Sequence, residues 1–306
     1  MAPAFEARPF LKWAGGKRQL LPVLRQYYPA AIQRYLEPFM GSGAVFFDLR
    51  ASGRLEGRPV LLSDENPDLV GCYFRVRDSV DAVLAELERL AAGHAAGERT
   101  FYYEVRDGHF NPARAAWLAA GGDPAAYPVP LAAALLYLNR TGYNGLFRLN
   151  RSGGYNVPAG RYVRPRIVDE PRLRAAAAAL GRPGIEIACR SFDERGPGGA
   201  RGLRLLRSAM PRWDRRRTSG TTPPGGSPTA TKARLQALAV TLAGRGVHVL
   251  LSNSSADSIV RLYGQPVARS AGLRIRRVPA RRAINTKAER RGPVDELVVS
   301  NLAPVA

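Results

Sequence analysis

Two glycines one residue apart, Gly41 and Gly43, close the stretch Glu37-Pro38-Phe39-Met40-Gly41-Ser42-Gly43, and an acid closes the next apolar run, Leu61-Leu62-Ser63-Asp64. Glycine carries no Cβ, so a turn built from it can bend sharply and let backbone approach a ligand. The run Ala44-Val45-Phe46-Phe47-Asp48-Leu49 then reads as the first turns of an apolar helix. A carboxylate about 20 residues past such a turn, at the end of the next strand, is placed to accept hydrogen bonds from ribose hydroxyls. That is the chemistry of a nucleotide site. A glycine turn standing alone is more often only a turn, so the reading depends on the rest of the chain.

The elements that must position these residues alternate in type. A loop at Trp13-Ala14-Gly15-Gly16-Lys17 leads into an amphipathic helix carrying Leu20, Leu21, Leu24, Tyr27 and Tyr28. A strand over 59–63 follows the glycine turn, and a helix runs from Asn66 to Val76. Alanine and leucine recur with helical spacing over 78–96 and 129–138. From 139 to 166 the texture changes to Asn, Gly, Tyr and Arg, which suits loops and hairpins. Helices are expected again at 170–180 and 233–243, and strands at 247–251 and 294–299. Strands near both ends and a helical, hairpin-rich middle predict a Rossmann-like α/β sheet formed by residues 1–70 and 185–306. Residues 71–184 are then an insertion.

Charge narrows the partners. The 306 residues carry 46 Lys+Arg against 25 Asp+Glu, a net charge of +21. A protein this basic attracts polyanions, nucleic acid first, because each neutralised phosphate releases counterions. The bias toward Ala, Arg, Gly and Pro also fits a GC-rich gene, which accounts for part of the excess. Cys72 and Cys189 are the only cysteines, which excludes a disulfide framework and a four-cysteine zinc site. His94, His109 and His248 are scattered, so no metal is expected. No run reaches the roughly 18 apolar residues of a membrane span, and residues 1–9 lack a secretory pattern. The expectation is a cytoplasmic protein that does not contact membrane.

Taken in order, the motifs resemble those of the Dam-family DNA adenine-N6 methyltransferases. They are Phe10-Leu11-Lys12-Trp13-Ala14-Gly15-Gly16-Lys17, then Tyr35-Leu36-Glu37-Pro38-Phe39 with Gly41 and Gly43, then Ser63-Asp64 with Asn66. The longest is Tyr137-Leu138-Asn139-Arg140, Gly142-Tyr143-Asn144-Gly145-Leu146, Arg148 and Asn150, continuing through Gly154-Tyr155-Asn156-Val157-Pro158, Gly160 and Tyr162. Leu251-Ser252-Asn253-Ser254, Arg281 to Asn285, Arg291-Gly292 and Glu296-Leu297 complete the set. The resemblance covers roughly 8–195 and 233–301. It implies S-adenosylmethionine as methyl donor, adenine in double-stranded DNA as acceptor, and a monomer. It also implies that Trp13, Lys17, Glu37, Phe39, Gly41, Gly43 and Asp64 hold the cofactor, and that 71–184 is a helical and β-hairpin target-recognition insertion. Within it, Asn139, Arg140, Tyr143, Asn144, Arg148, Asn150 and Asn156 are the implied DNA contacts. Arginine suits phosphate and guanine edges, asparagine pairs with adenine, and tyrosine can stack where a base is flipped out.

One motif is missing. The family's chemistry depends on an Asp-Pro-Pro-Tyr loop, whose acid and prolyl carbonyl hold the adenine amino group while the tyrosine stacks on the base. No such tetrapeptide occurs here. Where it belongs lies Arg201 to Thr231, with seven arginines and one aspartate between 201 and 217 and a Thr/Ser/Gly/Pro run after them. That composition is expected to be a basic disordered segment, with loss of one central strand and the catalytic loop. Codons for Gly202 to Ala209 can, read one nucleotide later, spell Asp-Phe-Val-Tyr-Phe-Asp-Pro-Pro, which points to a shifted reading frame. Weak or absent methyl transfer is therefore expected of this chain. The rival readings are a catalytically inactive DNA-binding relative and an RNA-associated protein, the second disfavoured by the order of the motifs.

Overall fold

Short apolar runs set down the sheet. In this computed structural model the described residues are 6–194, 203–207, 228–281 and 293–304. The strands are β1 (Tyr35–Glu37), β2 (Val60–Asp64), β3 (Ile185–Cys189), β4 (Leu203–Arg207), β5 (His248–Ser254), β6 (Arg274–Arg281) and β7 (Pro293–Ser300). They form one seven-stranded sheet in the order β3-β2-β1-β4-β5-β7-β6. The first five of these run parallel, and β7 lies antiparallel to both β5 and β6. The order 3-2-1-4-5 is that of doubly wound sheets that bind nucleotides at the carboxyl ends of their strands.

Every residue of β1 is buried, and so are Val60 to Ser63 of β2, as parallel strands covered on both faces require. Farther along the sheet, alternation separates two cores. Leu250 and Val298 face one cluster, while Val249, Leu251, Leu297 and Val299 face the other with Leu235, Ala239, Ile259 and Tyr263. A one-residue slip in β5 or β7 would exchange these faces.

The helices are α1 (Leu21–Leu24), α2 (Ala44–Ala51), α3 (Pro67–Asp78), α4 (Val80–Tyr103), α5 (Asn111–Ala119), α6 (Val129–Thr141), α7 (Glu170–Leu180), α8 (Pro228–Gly244), α9 (Asp257–Tyr263) and α10 (Pro266–Ser270). A π-helical turn, Glu104–Phe110, joins α4 to α5. Asn66 caps α3, its side chain accepting from Leu69 N–H at 3.1 Å, and Pro67 occupies the first helical position. The first core cluster runs without a break from Tyr35 and Leu62 of the sheet to Leu135, Leu136 and Tyr137 of α6. The expected boundary at residue 71 falls inside α3. No helix among the described residues is long and apolar enough to cross a membrane.

Two expectations are corrected. The helix expected after Lys17 is broken into 3-10 turns at Arg18–Leu20 and Arg25–Tyr27 around the single turn of α1. Pro22, with no N–H to donate, sits in that short turn. The larger correction concerns 201–231. Leu203–Arg207 is not a disordered linker and the central strand is not lost. It forms β4, parallel to β1 through Tyr35↔Leu203 and to β5 through Leu203↔His248 to Arg207↔Ser252. Residues 228–231 likewise begin α8. The physical reason is local: Leu-Arg-Leu-Leu-Arg is a short apolar run, and two flanking strands offer backbone groups that only a strand can satisfy. Composition averaged over the whole stretch hid it. The rest of the stretch, 201–202 and 208–227, lies outside the described residues.

Candidate functional site

The glycine turn connects β1 to α2 and is tied to the end of β2. Gly41 and Gly43 adopt φ of 51° and 64°, the left-handed region that glycine enters without steric cost. Gly41 N–H donates to Asp64 Oδ2 at 3.0 Å, and Asp64 Oδ1 accepts from Asn66 N–H at 3.1 Å. Met40 N–H donates to Ser63 O at 2.8 Å, and the Tyr73 hydroxyl donates to Gly41 O at 3.1 Å. One carboxylate thus holds the turn with one oxygen and the approach to α3 with the other. No side chain caps α2, whose N-cap is Gly43, so the positive end of that helix opens at the turn.

The other residues expected at the donor site surround this turn. Glu37 is fully buried at the end of β1 and accepts from the Tyr35 hydroxyl at 3.0 Å. Lys17 is also buried, and its Nζ donates to Glu296 Oε2 at 2.6 Å, joining the first loop to β7. A Cβ placed on Gly16 would stand 3.7 Å from Ser42 Oγ, which brings the Trp13–Lys17 loop against the glycine turn. Phe39 stacks on Phe192, ring centroids 5.2 Å apart. Phe192 follows β3, so the two rings bridge the carboxyl ends of β1 and β3. Trp13 stacks on Phe147 at 5.4 Å, which links this cluster to the 139–162 segment. The Cys189 thiol, register partner of Asp64, is pushed up to about 11 by burial first and by the Asp64 charge second.

That segment is a hairpin. Its base is closed by Gly142 opposite Ala159 and by Gly160 N–H on Thr141 O at 2.8 Å. Leu149 opposes Tyr155 nearer the tip, where Asn150 Oδ1 accepts from Gly154 N–H at 2.8 Å. The expected DNA contacts divide into two groups. Arg148 and Asn150 are exposed, Tyr143, Asn144 and Asn156 are half-buried, and Arg148 Nε donates to Asn156 Oδ1 at 2.7 Å across the hairpin. Asn144 holds φ of 55°, which turns the chain between Tyr143 and Gly145. Asn139 lies inside: its amide donates to Lys12 O and Gly145 O at 2.7 and 2.9 Å and accepts from Lys12 N–H at 2.8 Å. Arg140 is half-buried and donates to Phe10 O at 2.6 Å. Burial, with Arg172 nearby, lowers its pKa from the ordinary guanidinium value.

Comparison with known proteins decides between the readings these contacts allow. Residues 13–195 match the family described as D12 class N6 adenine-specific DNA methyltransferase. A type II methyltransferase of Methanocaldococcus jannaschii, M.MjaIII, is 34% identical over 97% of this chain and 99% of its own length. The type II methyltransferase M1.LlaDCHI of Lactococcus lactis is 29% identical over 96% of this chain and 95% of its own. A DNA adenine methylase of Vibrio cholerae is 31% identical over 95% of each. The chain belongs to the D12 class of N6 adenine-specific DNA methyltransferases.

The residues that follow β4 in the sequence, Ser208-Ala209-Met210-Pro211, include no acid and lie outside the described ones. Three residues around the glycine turn and the hairpin carry no signal in the sequence: Phe192, which stacks on Phe39, Tyr73, which holds Gly41, and Arg114. Glu296 stands in the motif set, but its contact with Lys17, 279 residues away, is visible only in the structure. Arg114 sits in an alanine-rich stretch with no motif around it, yet it is buried in α5 and chelates Asp68 of α3. Burial raises the Asp68 carboxyl more than the Arg114 guanidinium pulls it down.

Proposed function

We propose that the chain is a site-specific adenine-N6 methyltransferase by construction, binding S-adenosylmethionine at the glycine turn and double-stranded DNA along the hairpin, as a monomer. The observation that carries this reading is the Asp64 carboxylate shared between the turn and α3. It makes a cradle with left-handed glycines on one side and an acceptor on the other, which suits a nucleoside carrying a carboxylate. Trp13 and Phe39 offer flat apolar walls, the opening of α2 offers positive charge, Lys17, paired with Glu296, lines the site from the first loop, and Asp64 stands where ribose would meet an acceptor. Bound there, the cofactor would supply a sulfonium methyl: the amine nitrogen would gain the methyl as the carbon–sulfur bond breaks, the thioether would leave, and the amine would give up one proton. The protein's own work is to orient the two partners and exclude water.

The segment 71–184 acts in this reading as the DNA-recognition insertion. Arg148, Asn150, Asn144, Asn156 and Tyr143 face the duplex, while Asn139 and Arg140 fix the hairpin's base on the Phe10–Lys12 strap. A target adenine must leave the stack to be reached, and a half-buried aromatic such as Tyr143 can fill the gap.

Methyl transfer by this chain is expected to be weak or absent, because nothing in its sequence replaces the Asp-Pro-Pro-Tyr loop. The experiment has two arms. Calorimetric titration with S-adenosylmethionine should give saturable binding, and its failure rejects the donor site. Methylation of genomic DNA should be near background for this chain and restored when Asp-Pro-Pro-Tyr is placed after β4 in its own frame. Full activity without the restoration rejects the assigned dependence on that loop. Reading the gene checks the frame directly: codons that do not permit Asp-Phe-Val-Tyr-Phe-Asp-Pro-Pro exclude a frame shift.

A further inference from the structure

The return strand of the hairpin is held from the side by a row of side chains on the helical wall. Tyr102 Oη and Arg106 Nη1 donate to Val157 O at 2.9 and 3.1 Å. Asn111 closes a two-way bond with Tyr155, donating to its carbonyl at 3.1 Å and accepting from its N–H at 2.7 Å. Arg114 Nη1 donates to Gly153 O at 2.7 Å. Residues 155 and 157 alternate along the return strand and Gly153, at φ of 79°, ends the turn before it, so this edge of the hairpin is bonded by α4, the π-turn and α5.

Arg114 differs from the other members of the row. The same guanidinium that reaches the hairpin tip also binds Asp68, Nε lying 2.9 and 2.8 Å from the two carboxylate oxygens. Asp68 is fully buried, and the Tyr127 hydroxyl donates to it at 3.2 Å. Asp68 lies in the first turn of α3, two residues past the Asn66 cap whose N–H is held by Asp64, and Asp64 in turn holds Gly41. Hydrogen bonds from the glycine turn to Asp64 and Asn66, and from Asp68 to Arg114 and Gly153, are therefore joined by the backbone of the first turn of α3.

We propose that Arg114 is a positioning residue that sets the hairpin tip, with exposed Arg151 and Ser152, relative to the methyl-donor site. The planar fork of arginine can serve a carboxylate and a carbonyl at fixed angles, which a lysine ammonium cannot do at both ends. This inference rests on the proposed function insofar as it assigns the hairpin to DNA. The tether itself is independent of that assignment.

The test uses the full chain with Arg114→Lys, which keeps a cation beside buried Asp68, and with Asn111→Ala, which loosens the same strand and leaves the ion pair intact. Amide hydrogen exchange should accelerate at Gly154 to Val157 in both variants while β2 and the head of α3 keep their protection. Affinity for a short random-sequence duplex should fall roughly tenfold in Arg114→Lys, the loss of one charge-assisted bond. Affinity for S-adenosylmethionine alone should stay within about twofold, the scatter of an undisturbed site. Unchanged exchange at the tip, or equal loss of protection across α3 and the hairpin, overturns the proposal, the second outcome marking a residue that only stabilises the core. If the parent chain binds no duplex, the proposed function fails while the exchange arm still decides the tether.

Discussion

Replacing Asp64 with asparagine probes the donor site with little change of shape. In the native turn each carboxylate oxygen accepts one backbone N–H, from Gly41 at 3.0 Å and from Asn66 at 3.1 Å. Bonds to an ionised acceptor contribute about 1.5–3 kcal/mol each, and neutral ones about 1 kcal/mol. Asparagine keeps a single acceptor oxygen, so one bond is lost, an NH2 group faces an N–H, and the surviving bond weakens. Asp64 is half-buried, so water recovers part of the loss. The expected cost is about 2 kcal/mol, read as a lower urea midpoint at unchanged slope. Hydrogen exchange at Gly41 should rise in step. If the same turn holds the cofactor, the dissociation constant for S-adenosylmethionine rises at least tenfold, because its donors no longer stand fixed. Stability within about 0.5 kcal/mol of the parent, an ordinary surface effect, would refute the claim that this carboxylate builds the turn. A full stability loss with undiminished cofactor affinity would leave Asp64 as the turn's anchor and remove the turn from the donor site.

Three further outcomes follow from the same geometry. Gly43→Ala adds a Cβ 3.0 Å from the Tyr73 hydroxyl and 3.2 Å from Phe47 Cε2 at a φ of 64°, whereas Gly53→Ala meets nothing within 4 Å at 73°. Both incur the left-handed cost of roughly 1–2 kcal/mol, and Gly43→Ala should exceed Gly53→Ala by about 1 kcal/mol of overpacking in chemical unfolding; equal losses would mean that the neighbours yield freely. The Cys189 thiol is raised to about 11, so the folded state keeps its proton where the unfolded chain has begun to lose it. Stability should thus be intact below pH ~9 and decline from there to pH ~11; unfolding curves for the parent and Cys189→Ser should diverge only in that window. Arg148→Ala removes an exposed cation from the hairpin and should lower the salt dependence of duplex binding by about one unit of log–log slope; an unchanged slope in an anisotropy series would take Arg148 off the phosphate path.

Much of the glycine turn was legible because its signals are local. Gly41 and Gly43 mark a turn whatever surrounds them, Asp64 ends an apolar run, and Asn66-Pro67 is a helix start written in two residues. The Lys17–Glu296 contact was not legible, since 279 residues separate its partners and each is an ordinary charge alone. Asn139 shows the opposite failure. Its residue type suits adenine, yet the backbone of Lys12 and Gly145 takes up its amide, a competition that composition cannot express. Arg114 had no motif to announce it and emerges only where three separate segments meet.

The strand Leu203–Arg207 bears most directly on what this chain is. Its backbone lies between β1 and β5, where a parallel sheet leaves one position that must be filled if Tyr35 and Val249 are to keep their neighbours. Filling that position requires only extended backbone with enough apolar residues to be covered, and Leu-Arg-Leu-Leu-Arg meets the requirement as Asp-Phe-Val-Tyr-Phe would. The proposed chemistry asks more of the residues immediately after it, where Ser208-Ala209-Met210-Pro211 brings no carboxylate. A fold tolerates one residue type for another wherever the backbone does the bonding. A reaction does not, and so the sheet can form in a chain whose sequence holds no Asp-Pro-Pro-Tyr tetrapeptide.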